Sequence, residues 1–447
     1  MTLTRFKPSS TTPWNFQRVW TLHRRTGFAA TWSELQRDLA DGPDESIDRI
    51  LDGNSRSEGI PSNFGDMRKI LGDAAVGSDR PERLIAWWVY QMYFTPDPLR
   101  ERLTMMWHNH FATSNAKVDN LVFMRQQNDV FREHGFGEFE TLLDATVKQP
   151  AMLKWLDGDE NRSGKANENL GRELLELFTL GVGNYTEQDV KEASRALTGW
   201  SVYNNKFRHR DDWHDDKEKT ILGKSGNFTG DDLVGIAAKH PATTKRLAWR
   251  ICDEFLSKSL IDEKVIGQLS DVLTKNKLDI RSGLAALLRS ELFFSDENLN
   301  RRIVEPESFV VGAIRATEQF SPAASTMVLG DWIEQLGRKL FYPPNVGGWP
   351  GGRGWLNSRT TIARANFGAG LTGGNLNRSS EVVDFGALAE KYIESRDRAK
   401  VAGFYCKLLT GSEQESVVKE LLASTKEAEN DRQLIAAILA SPAAQLC

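Results

Sequence analysis

Apolar positions along the chain recur at steps of three and four residues far more often than at alternate residues, which predicts many helices and few strands. Thr31, followed by Trp32-Ser33-Glu34, has the spacing of a capping box and opens a helix toward Leu39. Pro81 starts a strongly apolar helix through Trp87, Trp88 and Tyr90 that stops near Pro96. Asp97-Pro98 then supplies an N-cap and a first-turn proline for a second helix. It runs through Met105 and Met106 into Trp107-His108-Asn109-His110-Phe111. Further helices are predicted at 119–133, 138–148, 167–180, 187–199, 231–257, 262–274, 280–291, 305–318 and 328–340.

Two stretches interrupt this period. Residues 201–228 are polar and turn-rich, with short strands expected at Phe207 and at Thr220-Ile221-Leu222-Gly223. Residues 342–357 are too dense in glycine and proline for regular helix. A Gly/Asn-rich linker is expected at 368–377, ahead of a last helical unit that ends near Pro442. The fold class is therefore all-α, a multi-helix globular bundle with two irregular insertions and at most a short β-hairpin. The expected division is a main helical domain over 1–375, carrying the site, and a small C-terminal helical unit over 376–447 packed on it.

Composition narrows the function. Over 447 residues, 57 basic side chains stand against 61 acidic ones, a net charge of −4. That balance excludes a strongly basic nucleic-acid binder and a polybasic membrane-surface protein. No apolar run is long enough to span a bilayer and no cleavable leader pattern follows Arg5 and Lys7, so the chain reads as soluble and cytoplasmic. Cys252, Cys406 and Cys447 are far apart and odd in number, which gives neither a disulfide framework nor a CxxC metal clip.

Four segments could carry chemistry. In the 167–180 helix, Leu170, Leu174, Leu177 and Phe178 form an apolar arc, while Glu168, Arg172 and Glu176 share another face as an ion-pair stripe. Glu173 falls at the edge of the arc, where a carboxylate needs a buried salt bridge or a metal. It is expected to be largely inaccessible and close to such a partner. On an unbroken helix His108 and His110 point about 200° apart, so they can share an ion only if the helix ends before His110. Each could equally be a hydrogen-bonded core histidine. The run Arg208 to Asp216 packs imidazoles and carboxylates densely enough to bind a cation, or to be a solvated loop. Gly347, Gly348, Gly351, Gly352 and Gly354 permit close backbone approach to a ligand, Trp349 and Trp355 offer flat apolar faces, and Arg353 could hold an anion. The same stretch could be a rigid loop packed by its own tryptophans. Gly223-Lys224-Ser225 resembles the end of a phosphate-binding loop, but Glu218 stands where that motif needs glycine. Neither a dinucleotide fingerprint nor a nucleophile elbow is present.

Several of these motifs, in this order, resemble the bacterial DUF1800 family. They are Trp107 to Phe111, the 167–181 helix with its continuation Val182-Gly183-Asn184-Tyr185-Thr186, Ala196 to Trp200, His214-Asp215 ahead of Lys219-Thr220, and Pro343-Pro344-Asn345-Val346 through Trp355-Leu356-Asn357. The chain departs from the family pattern at Leu170-Gly171, where Tyr-Ala is more usual, which should loosen helix packing there. The resemblance implies a helical fold over nearly the whole chain and supplies no reaction. Relatives are often encoded beside a sulfatase-like family of exported proteins, which implies a sulfatase-like partner protein.

The residues together predict a metal-dependent enzyme, with hydrolysis preferred over oxidation because no redox-cofactor motif is present. His108 and His110 would ligate a divalent Zn, Fe or Mn ion, with Glu173 as ligand or general base. His214 and Asp215 would close the site, and Trp349, Arg353 and Trp355 would line a pocket for a small-molecule or polymer substrate. The rival expectation is a non-catalytic helical scaffold that binds a partner through the Gly/Trp loop.

Overall fold

Capping chemistry sets the helix starts. Thr31 and Glu34 form the reciprocal box that opens Trp32–Asp41. Asp97 accepts from the Arg100 amide at 3.0 Å and starts Pro98–His110, directly after Pro81–Phe94. The computed structural model describes residues 2–374, 376, 383–424 and 431–447. Over these residues helices make up the fold, with two small antiparallel hairpins as its only strands. The hairpins pair Trp200–Tyr203 with Lys206–His209, and Lys219–Ile221 with Lys224–Gly226. The 342–357 stretch is irregular apart from a 3-10 turn at Gly352–Trp355.

Four expected boundaries shift for local reasons. The helix expected over 231–257 is two, Gly230–Ala238 and Pro241–Phe255. Pro241 drives His240 into extended backbone and so breaks the run. The helix expected over 328–340 is Thr326–Gln335. Helix Ser358–Thr372 takes up 368–372 of the expected linker, whose residues 375 and 377 lie outside the described ones. The 167–180 helix is α only over Glu168–Glu173 and then widens into a π turn over Leu174–Thr179. Its register is confirmed by the Leu180 amide reaching back five residues to the Leu175 carbonyl at 2.9 Å.

Two apolar cores fill the molecule. One gathers Trp88, Val89, Met92, Phe309, Ile314, Leu336, Phe367, Tyr405 and Ile435, so the helices after residue 383 pack into the same core as Pro81–Phe94. The other gathers Trp107, Leu143, Leu174, Phe178, Val190, Leu247, Ile251 and Leu287. Helix Pro98–His110 runs along the seam: Met105 faces the first core, while Leu99, Leu103, Met106 and Trp107 face the second. Among the described residues no helix is long and apolar enough to cross a membrane.

Candidate functional site

The seam between the cores opens into a cavity of about 530 Å³. Its walls come from the end of helix Pro98–His110, from helix Pro241–Phe255, from residues 256–259 and 301–305, and from the loop 346–353. The floor is a buried ion-pair network centred on Arg102, which is 3% exposed. The Arg102 guanidinium reaches Glu254 at 2.9 Å, Glu305 at 3.1 Å and Glu307 at 3.4 Å. Arg338 contacts Glu305 at 3.1 Å and Glu307 at 2.7 Å, and Arg302 contacts Glu305 at 3.0 Å. Glu305 and Glu307 share both Arg102 and Arg338. Burial, and then the Glu305 charge, push Glu307 up to about 7 against the pull of its arginines. Such a network costs desolvation, and its pairing ties helix Pro98–His110 to helix Pro241–Phe255 and to residues 302–307 and 338.

Above this floor the cavity wall is cationic. Arg250, Arg302 and Arg338 face it from the sides, and Arg246, Lys258, Arg301 and Arg353 surround its mouth. Only Asp253, Glu254 and Glu305 oppose these seven basic groups, and all three already hold arginines of the wall. Among the described residues Arg246, Arg301 and Arg353 pair with no carboxylate. Trp249, 39% exposed, stands at the same mouth.

The two histidines of the Trp107–Phe111 segment do different things. The helix continues through His110 and is capped at Phe111, so the rings diverge. His108 is fully buried among Trp88, Phe131, Phe341 and Trp349, at ring distances of 5.4–6.0 Å. Neither ring nitrogen has a hydrogen-bond partner, and burial, then Arg338, hold it down to about 3, so the ring is neutral. His110 lines the cavity, and its Nε2 donates to the Phe178 carbonyl at 3.1 Å. The π turn frees that carbonyl and its neighbour, the Leu177 carbonyl, which Arg246 Nε takes at 2.8 Å. Burial, then Arg250 and Arg246, keep His110 well below the usual imidazole range.

Asn109, between them, is the residue the sequence reading passed over. Its Oδ1 accepts from the Trp349 amide at 2.7 Å and pins the Gly/Trp loop to the helix end. Gly348 has φ +81, and a β-carbon there would lie 2.2 Å from Asn109 Oδ1 and 2.5 Å from Asn109 O. The loop seats only because that residue is glycine. Arg338 completes the clamp by stacking on Trp349 at 5.3 Å and on Trp355 at 4.6 Å. Trp355 is buried beneath the loop, while Trp349 and Arg353 reach the cavity as expected of pocket residues.

The remaining expected site residues lie elsewhere. Glu173 is partly buried and without an ion pair among the described residues, contrary to its expected sequestered pairing. Burial first, then Glu176, raise its carboxyl. The widened turn also takes Glu176 off the expected stripe: Arg172 keeps Glu168 at 3.1 Å but takes Glu187 at 2.8 Å, and Glu176 accepts from the Tyr185 hydroxyl. Asp215 pairs with Arg195 at 2.9 Å, which lowers its carboxyl to about 2, and its amide bonds Thr198 Oγ1 at 2.8 Å. His214 Nδ1 donates to the Thr198 carbonyl at 2.8 Å. The pair clasps the hairpin insertion onto helix Glu187–Ala196. Among the described residues no group of three or more His, Cys, Asp or Glu side chains is arranged to hold a metal ion, so His108, His110 and Glu173 are not brought together. At Gly171 a β-carbon would stand 2.7 Å from Ser194 Oγ, so glycine lets its helix pack closely on helix Glu187–Ala196, where loosened packing was expected.

The fold and cleft define a helical protein of two fused cores with a cationic cavity at their seam. The chain belongs to the DUF1800 family: a family model described as a protein of unknown function (DUF1800) matches residues 21–446. No curated protein and no solved structure matches the chain.

Proposed function

We propose that this protein binds an anionic small molecule, or the anionic group of a larger one, in the cavity between the Pro98–His110 and Pro241–Phe255 helices. The observation that carries this reading is the charge imbalance of the wall, with Arg246, Arg301 and Arg353 unpaired among the described residues. Cations held in a low-dielectric cleft attract an anion more strongly than the same cations on an open surface. Guanidinium groups also present forked donors that match carboxylate and phosphate oxygens. The Gly/Trp loop forms one wall and the Trp107–Phe111 segment another, so two of the four segments singled out in the sequence border the same cavity. The three unpaired, buried cysteines suit a reducing cytoplasmic setting.

The test is binding of inorganic anions to the full chain, followed by intrinsic tryptophan fluorescence and by its difference from a Trp249→Phe variant at the cavity mouth. Saturable quenching that weakens with added salt, and that is lost in an Arg301→Ala/Arg353→Ala double variant, is expected. Both arginines are exposed, so their removal leaves the fold in place. Equal response of the double variant and the unaltered protein would overturn the reading.

A further inference from the structure

The cavity wall contains an acceptor as well as cations. His110 spends its Nε2 proton on the Phe178 carbonyl at 3.1 Å, which fixes the tautomer and leaves Nδ1 as a lone pair. No hydrogen bond reaches Nδ1 among the described residues. Glu254 lines the same cavity but offers no second acceptor, because its Oε1 is fully buried against Arg102 Nε at 2.9 Å. Arg246 and His110 both line the cavity and hold the adjacent carbonyls of Leu177 and Phe178, so an anion on Arg246 lies beside this ring.

A ligand that satisfies both sets of groups must be anionic and must also donate a proton. A fully ionised anion meets the arginines but turns its own lone pairs toward the His110 Nδ1 lone pair, and nothing then bridges them. Resting on the anion-binding reading, we propose that the cleft selects a protonated tetrahedral oxyanion, hydrogenphosphate or its singly protonated esters, over a fully ionised one such as sulfate. His110 is the specificity-determining residue, acting through Nδ1 as hydrogen-bond acceptor. Phosphate near neutral pH keeps at least one hydroxyl, whereas sulfate, of nearly the same size and shape, has none. Discrimination between the two therefore reads the acceptor and not the arginines.

The experiment is isothermal titration of the full chain with sodium phosphate and, separately, sodium sulfate at matched ionic strength near neutral pH. Phosphate should bind at least about tenfold more tightly, because a site built around an acceptor rejects the analogue that lacks the donor. In His110→Gln the side-chain amide can still donate to the Phe178 carbonyl, while the fixed ring acceptor Nδ1 is replaced by an amide oxygen at a different position on a flexible side chain. That variant should lose about tenfold in phosphate affinity, with sulfate affinity unchanged. Equal binding of the two anions to the unaltered protein overturns the proposal while leaving the anion cleft intact. Discrimination that survives in folded His110→Gln overturns the role of His110. Binding of neither anion removes the underlying reading as well. Should His110→Gln fail to fold, the ratio measured on the unaltered protein decides.

Discussion

Gly348→Ala tests how the cleft is built. The new β-carbon would enter space held by Asn109, 2.2 Å from Oδ1 and 2.5 Å from the main-chain oxygen, on a backbone with φ +81. A left-handed conformation costs a non-glycine residue about 1–2 kcal/mol. The overlap cannot be relieved by a side-chain rotation alone, because one of the two atoms is backbone. The loop must lift, and the 2.7 Å bond from the Trp349 amide to Asn109 Oδ1 is lost at a further cost of about 1 kcal/mol. The sum is about 2–3 kcal/mol. Gly351→Ala is the control: its φ is +64, yet nothing lies within 4 Å of the added carbon. It should cost only the conformational part, about 1–2 kcal/mol. Urea denaturation of both variants, followed by circular dichroism and tryptophan fluorescence, measures the difference. Phosphate titration should show weakened binding in Gly348→Ala alone. Equal destabilisation of the two variants, with equal anion binding, would refute the clamp between Asn109 and the loop.

Other outcomes follow from the same geometry. His108→Phe should be neutral or stabilising by about 1 kcal/mol in urea denaturation, since it replaces a buried ring with two unpartnered nitrogens; a loss above about 2 kcal/mol would refute this. Because folding lowers the His108 pKa, the unfolded chain takes up protons below about pH 6.5 that the folded chain refuses, so this contribution to stability is present above that pH and lost as pH falls. The stability gap between His108→Phe and the unaltered protein should therefore widen by about 1.4 kcal/mol per unit as pH falls from 6.5, and a gap independent of pH would contradict a neutral His108. Asp215→Asn should lower stability by about 1–2 kcal/mol near neutral pH, through its bond to Arg195, and leave phosphate binding unchanged in the same titration. Elemental analysis of His110→Ala should match that of the unaltered protein, and metal lost on this substitution alone would restore His110 as a ligand.

The elements legible in the sequence are those whose cause is local. Thr31 with Glu34, and Asp97 with Pro98, announce helix starts because cap and helix lie within four residues. Pro241 was an equally local signal for the break in the helix expected over 231–257, through its effect on His240. The π turn after Glu173 left no such mark, because its freed carbonyls are satisfied by His110 and Arg246 from other helices. The cleft was hidden for the same reason. Arg102, Arg250, Arg302 and Arg338 stand far apart in the chain, and singly each has the pattern of a surface arginine. The Gly/Trp loop was visible as an irregular wall, and two of its three expected pocket residues reach the cavity. Asn109 carries no local signal of its role, since its partner, the Trp349 amide, lies 240 residues away, although Gly347-Gly348 already pointed to a close backbone contact.

The most direct measurement is a crystal structure of the full chain grown with sodium arsenate, a phosphate analogue that keeps its proton near neutrality and can be located by the anomalous scattering of arsenic. The account predicts one strong peak in the cavity, with oxyanion oxygens within hydrogen-bond reach of Arg246 or Arg250 and one hydroxyl directed at His110 Nδ1. A cavity without arsenic while the anion orders elsewhere on the surface, or a peak held by arginines with His110 turned away, would contradict it.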